Sequence, residues 1–263
     1  MSTFLFDKIV FGPVRSRRLG ISLGINLLPT TKKVCNFDCI YCECGLNDNT
    51  NQSPNNLPSR EEVYAKLEKK LRALRNEKGY SKNPDVITFA GNGEPTLHPE
   101  FPEIISDAIE LRNRIFPTAK IAVLSNATTI KNPNIANALM SVDLNILKLD
   151  SAFDHTIELH NKPDSKICAH ELINDLKAFN GKLIIQTLFV RGVSKGLKID
   201  NTTTREITAW VRAIDAIKPA EVMIYTISRS VPEGAELEKV AFYKLHSIAR
   251  KINKLGIETR VSG

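Results

Sequence analysis

A chain of 263 residues, 42% apolar and 25% charged, suits one barrel-sized domain or two small ones and excludes a disordered or fibrous polypeptide. The formal charge of +7 permits an anionic partner without demanding one, and no apolar run approaches the roughly 20 residues of a membrane-spanning helix. Five cysteines are present, four of them between Cys35 and Cys44, unlike the spread framework of a small disulfide-bonded secreted domain. The first residues lack a basic start followed by a long apolar run, so no signal peptide is expected and a reducing cytoplasm is the expected compartment. Lys8, Arg15, Arg17, Arg18, Lys32 and Lys33 precede or border the cysteines. With few aromatics among them, they read as a solvated or structural face in preference to a nucleic-acid surface.

The apolar stretch 21–28 is the first expected strand. The polar, Asn- and Pro-rich segment 47–58 reads as a long loop flanking the cysteines. Ser59 and Glu62 form a capping-box pattern, followed at helical spacing by Val63, Leu67, Leu71 and Leu74. Residues 85–90 are a short buried strand, 100–116 a helix, 120–125 a strand, 133–140 a short helix and 142–149 a strand. A helix over 165–179 stops at Asn180-Gly181, and 182–190 is strongly β-like. Thr203 and Glu206 open a helix ended by Pro219, 221–227 is a strand, and 237–255 carries a long apolar stripe at helical spacing. Six strands with helices between them predict parallel pairing and right-handed crossovers in a single α/β domain over residues 1–263. A barrel or partial barrel fits better than an open sheet, with the chemistry at the C-terminal strand ends.

Cys35, Cys39 and Cys42 follow the first strand in a C-x3-C-x2-C pattern. Three thiolates on a short loop can hold three corners of an iron–sulfur cubane and leave the fourth open. Cys44 is a rival ligand, but one tight loop would have to wrap all four sulfurs. A structural zinc knuckle is the alternative, although such sites use two paired elements and no second pair is present. Cys168, alone at a predicted helix start, reads as a small buried residue. In GNGEP, residues 91–95, Gly91 and Gly93 allow close backbone approach, Glu94 supplies a carboxylate and Pro95 stiffens the turn. An ordinary strand-to-helix turn is the competing reading. Strand three ends in Ser125 and Asn126, and strand four in Lys148, Asp150 and Ser151. Lys148 and Asp150 share a face, which is costly inside a barrel unless they are paired or liganded. Gln186 lies among apolar residues of strand five, where an amide needs partners, and strand six offers Tyr225, Ser228 and Arg229.

The run VCNFDCIYC resembles the cluster loop of radical S-adenosylmethionine (SAM) enzymes, with Tyr41 as the aromatic before the last cysteine, and GNGEP resembles that family's glycine–glycine–glutamate motif. The resemblance implies a partial (β/α)6 TIM-like barrel of radical SAM type, carrying one 4Fe–4S cluster on Cys35, Cys39 and Cys42, with SAM chelating the open iron. It implies SAM contacts from Tyr41, Gly91, Gly93, Glu94 and Pro95, and further candidates at Ser125, Asn126, Asp150, Ser151, Gln186 and Tyr225. An external reductant of the flavodoxin or ferredoxin type would drive SAM cleavage to methionine and a 5′-deoxyadenosyl radical, which abstracts hydrogen from a substrate. The segments FGPVRSRRLG and YTISR are similar to a subgroup described as iron–sulfur oxidoreductases, with a looser likeness to wybutosine-type tRNA enzymes. The chain ends soon after its last predicted helix, from which an uncovered barrel mouth suited to a peptide, a protein or RNA is expected. The rival readings are an activase-like or RNA-modifying radical SAM protein acting on a macromolecule, and a non-catalytic metal-binding module.

Overall fold

The computed structural model describes residues 4–47, 56–76, 83–229, 231–232 and 234–263. Most of the expected loop 47–58 therefore lies outside the described residues. One sheet runs in the order β1 (Val10–Ser16), β2 (Gly20–Ile25), β3 (Val86–Phe89), β4 (Lys120–Ser125), β5 (Leu144–Lys148), β6 (Ile184–Leu188), β9 (Glu221–Tyr225) and β11 (Glu258–Ser262). The six strands from β2 to β9 are those expected from the sequence, and all pair in parallel. The two edge strands are additions to that expectation. β1 joins antiparallel to β2 through a tight hairpin, and β11 joins in parallel to β9. β1 and β11 end the strand order and, among the described residues, do not pair with each other, so the sheet is a curled half-barrel, consistent with the partial barrel implied by the resemblance.

The helices are α1 (Arg60–Asn76), α2 (Phe101–Ile115), α3 (Pro133–Ser141), α4 (Asp154–Asn161), α5 (Ala169–Lys177), α6 (Thr204–Ile217) and α7 (Phe242–Asn253). The large core packs their apolar stripes, Val63, Leu67, Leu71 and Leu74 of α1 included, against residues such as Leu23, Phe89, Ile121 and Ile185 of the strands. Strands covered on both faces read as unbroken apolar runs, and every residue of β3 is buried. Each expected capping box is present in its hydroxyl half only, with Glu62 paired instead to Lys66. Ser59 Oγ accepts the Glu62 amide at 3.3 Å and Thr203 Oγ1 accepts the Glu206 amide at 3.2 Å. The Glu206 carboxylate turns away, to the hydroxyls of Ser151 and Thr156.

Two boundaries are corrected. The β-like run 182–190 ends as β6 at Leu188, and Val190 begins β7 (Val190–Ser194), which pairs with β8 (Leu197–Asp200) and β10 (Ala235–Lys239) in a small antiparallel sheet. The apolar spacing from Leu237 onward is helical only from Phe242. The residues before it are drawn into β10 because pairing with β7 overrides local periodicity. Among the described residues no helix is long and apolar enough to cross a membrane.

On the inner face, alternate strand residues form layers. Val86, Ala122, Ile146, Ile184 and Met223 make an apolar floor. Two residues further along the same strands stand Thr88, Leu124, Lys148, Gln186 and Tyr225, so the lumen turns polar toward the C-terminal ends.

Candidate active site

The segment after β2 carries the cysteines across the C-terminal ends of the strands. Cys35, Cys39, Cys42 and Cys44 line one cavity of about 280 Å3 together with Tyr41, Gly91, Gly93, Glu94, Ser125, Asn126, Lys148, Gln186 and Tyr225. Residues 33–44 and the strand ends therefore meet as the sequence motifs require. Pro95, Asp150 and Ser151 stand outside the cavity lining.

The loop is held by backbone pairing with the glycine turn. Val34 donates its amide to the Asn92 carbonyl at 2.8 Å and accepts the Glu94 amide at 3.1 Å. Gly93 has φ +140°, and a Cβ there would lie 1.8 Å from the Val34 carbonyl oxygen. A Cβ at Gly91 would strike the Asn26 side chain at 2.3 Å. The space that both glycines leave is thus taken by the protein itself, which fuses the cysteine loop to the end of β3. Asn92, buried completely, completes the joint. Its side chain bonds both backbone groups of Phe6 and the Pro29 carbonyl, while its amide meets Asn26 Oδ1.

Other parts of the loop are fastened by side chains. Lys33, buried, reaches Asp38 Oδ1 and the Gly45 carbonyl, each at 3.0 Å. Asn47 bonds both backbone groups of Cys35. Glu94 is buried, and its carboxylate accepts from the Thr96 amide and hydroxyl and from the Asn126 amide at 2.6 Å. Burial raises this carboxyl above its ordinary range, against the pull of those donors.

The opposite side of the loop rests on α4, a helix absent from the sequence-based expectation. Ile40 and Asp38 donate their amides to the carbonyls of His160 and Asn161. The Asn161 side-chain amide reaches Cys39 Sγ at 3.4 Å, Tyr41 Oη at 2.7 Å and Asp150 Oδ2 at 2.8 Å. The Tyr41 hydroxyl donates to Asp150, and Lys148 Nζ lies 3.0 Å from that hydroxyl and 3.3 Å from Asp150 Oδ2. Burial would raise the Asp150 carboxyl, but Lys148, Asn161, Tyr41 and the Leu188 amide outweigh it and hold the group below its usual range. The alternation of Lys148 and Asp150 thus produces a buried ion pair, and Asp150 is saturated by protein partners. Ser151 is likewise committed, to Glu206 and the Phe153 amide. In contrast, the Gln186 amide lines the cavity with no hydrogen-bond partner among the described residues.

The sulfurs face donors. The Phe37 amide lies 3.4 Å from Cys35 Sγ, Asn126 Nδ2 lies 3.8 Å from it, and Asn161 serves Cys39. Burial pushes the Cys35 and Cys39 thiols up. The Cys44 thiol donates to the Gly91 carbonyl at 3.4 Å, and its closeness to Cys42 draws the Cys42 thiol down and drives its own up. Among the described residues no three His, Cys, Asp or Glu side chains converge as one metal ion requires, yet the cysteines share one cavity. A spread set of soft donors with amides aimed at the sulfurs suits a polynuclear cluster better than a single zinc ion. Of these supports, Asn26, Asn92 and Asn161 carry no sequence signal beyond being polar residues near turns.

A model of the radical SAM superfamily matches residues 31–197. The protein called GTPase Obg of Brachyspira hyodysenteriae is 31% identical over 229 residues, 86% of this chain but only 31% of that protein. A UPF0026 protein of Helicobacter pylori is 32% identical over 84% of this chain and 67% of its own length. This chain therefore spans about a third of the first relative and two thirds of the second. Among solved structures, a radical SAM methyltransferase from Sphaerobacter thermophilus superposes with a TM-score of 0.65 at 13% identity, covering 92% of this chain and 65% of that one, a likeness of fold.

Proposed function

Because the chain belongs to the radical SAM superfamily, whose members are enzymes that cleave SAM reductively with a 4Fe–4S cluster, we propose that Cys35, Cys39 and Cys42 hold that cluster here and that the cavity beside them presents SAM to a substrate from which hydrogen is abstracted. The observation that carries this reading is the convergence of the three cysteines, the Gly91–Glu94 turn and the unpartnered Gln186 amide in one cavity. When bound, the cluster and SAM supply one-electron reductive cleavage to methionine and a 5′-deoxyadenosyl radical.

The chain's own residues bind, orient and shield. Burial keeps Cys35 and Cys39 protonated without metal, so cluster binding releases their protons. The Phe37 amide and the Asn126 and Asn161 side chains then stabilise the charged sulfurs. Gln186 offers SAM a donor and an acceptor, Ser125 and Asn126 edge the same space, and the rings of Tyr41 and Tyr225 offer flat walls. Glu94, Asp150 and Ser151 act as braces, since the two carboxylates already accept from the protein and the Ser151 hydroxyl donates to Glu206 and accepts the Phe153 amide. An external one-electron donor of the flavodoxin or ferredoxin type completes the reaction.

Anaerobic reconstitution, iron and sulfide analysis, and detection of 5′-deoxyadenosine after reduction with SAM test the proposal. About four irons and four sulfides per chain are expected. Zinc in place of iron, or a fully loaded sample that releases no 5′-deoxyadenosine, would overturn it.

A further inference from the structure

A second cavity, of about 680 Å3, opens laterally beside the first. Its inner wall is formed by β2 to β4, through Ser22, Thr88 and Leu124, and its outer wall is the N-terminal segment with the β1–β2 hairpin. Arg18, Glu43, Ala90 and Leu124 line both cavities, so the two are confluent. The volume falls in the range of sites for small molecules or single groups of larger ones.

The hairpin closes this space across the open edge of the half-barrel. The Arg18 carbonyl accepts Arg260 Nη1 of β11 at 3.5 Å, and the Arg18 guanidinium lies 4.5 Å over the Tyr225 ring. Phe11 packs its ring where Gly24 has no side chain and stacks on Phe6. Phe6 and Phe11 therefore share a chamber with the arginines of the hairpin.

Charge is unbalanced there. Arg15, Arg17, Arg18 and Arg229 line the chamber against a single carboxylate, Glu43, which is 2.5 Å from Arg229. Among the described residues no carboxylate pairs with Arg15, Arg17 or Arg18, and Arg18 Nη1 is buried without a hydrogen-bond partner. A buried guanidinium donor is costly to leave unmatched, and its planar fork fits phosphate and carboxylate oxygens. Arg18 lines both cavities, but Arg15, Arg17 and Arg229 stand outside the cysteine cavity, so a SAM carboxylate there leaves the charge of those three unaccounted for.

Resting on the radical SAM reading of the adjoining cavity, we propose that the lateral chamber is the substrate site and that it selects a substrate bearing an oxyanion, phosphate or carboxylate, gripped by Arg18 with Arg15 and Arg17 while its apolar part lies against Phe6 and Phe11. Phenyl phosphate, benzoate and neutral benzyl alcohol serve as probes, titrated calorimetrically into the cluster-loaded full chain with S-adenosylhomocysteine present. At least one anionic probe is expected to bind tenfold or more tightly than benzyl alcohol, and the stronger of the two identifies phosphate or carboxylate. Arg18→Gln is expected to weaken that binding at least tenfold, with Arg18→Lys intermediate. Should Arg18→Gln fail to fold, the double variant Arg15→Gln/Arg17→Gln, altered at exposed positions, is expected to weaken it threefold or more. Equal binding of all three probes, or unchanged binding in these variants, overturns the inference. A sample that holds its cluster and binds S-adenosylhomocysteine yet shows no anion preference leaves the radical SAM reading standing, whereas a chain that takes up no iron defeats that reading first.

Discussion

Replacing Gly93 by alanine attacks the joint between the cysteine loop and β3 at one atom. The new Cβ would sit 1.8 Å from the Val34 carbonyl oxygen and 2.5 Å from its carbon, on a residue with φ +140°. Forcing a side chain into that backbone region costs about 1–3 kcal/mol. The overlap is with backbone, so Val34 must shift, and its two bonds, to the Asn92 carbonyl and from the Glu94 amide, are lost or weakened. At about 1 kcal/mol net for each, the whole penalty is about 3–5 kcal/mol, a large part of a typical domain's stability. Gly196→Ala provides the control. Its φ is +77°, nothing lies within 4 Å of where the new Cβ would stand, and the left-handed strain alone costs about 1–2 kcal/mol. Urea unfolding followed by tryptophan fluorescence should separate the two by about 2–3 kcal/mol, the difference of those penalties, and reconstituted Gly93→Ala should hold markedly less iron than Gly196→Ala. Equal stability and equal iron in the two variants would refute the claim that this glycine exists to seat the loop.

Further outcomes are expected. Burial holds His160 at about 4, with Asp150 and Asp200 opposing and Lys148 assisting, so it stays neutral in the fold and protonates near 6.5 when unfolded; its contribution is complete above about pH 6.5 and lost on the way down to about 4. At pH 5 the loss is about 2 kcal/mol, and His160→Gln should flatten the pH dependence of the urea midpoint over that window. Cys44→Ser should keep its iron on reconstitution, while Cys35→Ser, Cys39→Ser and Cys42→Ser each lose most of it; equal loss in all four would make Cys44 a ligand. Lys148→Met removes the partner of a fully buried carboxylate and should cost about 3–5 kcal/mol in thermal or urea unfolding, with Lys148→Met/Asp150→Asn recovering part of it.

The six parallel strands are legible in the sequence because both faces of each are covered, leaving short apolar runs between helical stripes. The edges are not. β1 contains Pro13 and mixes arginine with apolar residues, and β11 is only partly covered, so neither shows the pattern of a buried strand. α4 is hard to read for a related reason. Its eight residues open at Phe153 without a side-chain cap and bury only Ile157, His160 and Asn161. In the site, the cysteines and glycines announce themselves by type and spacing, but which residues hold them in place depends on contacts more than a hundred positions apart, such as Asn161 to Cys39. Asp150 illustrates the difference. Its alternation with Lys148 is readable, yet only the fold reveals that Tyr41 and Asn161 complete its shell.

That shell bears on how the cavity works. A carboxylate buried with a lysine, a phenol and an amide is expensive unless every partner is present, so the four groups favour one arrangement in common. Tyr41 and Cys39 belong to the cysteine loop, Lys148 and Asp150 to the end of β5, and Asn161 to α4. The network therefore fixes the loop from the side opposite the Val34–Gly93 pairing. With both sides pinned, a cluster held as proposed would meet the three sulfurs without a large ordering cost, while Arg18 and Gln186, which lack protein partners for side-chain polar atoms, line the adjoining space. Unmatched side-chain groups of Arg18 and Gln186 in the lumen, beside the partnered carboxylates of Glu94 and Asp150, fit a site built for something other than the chain itself.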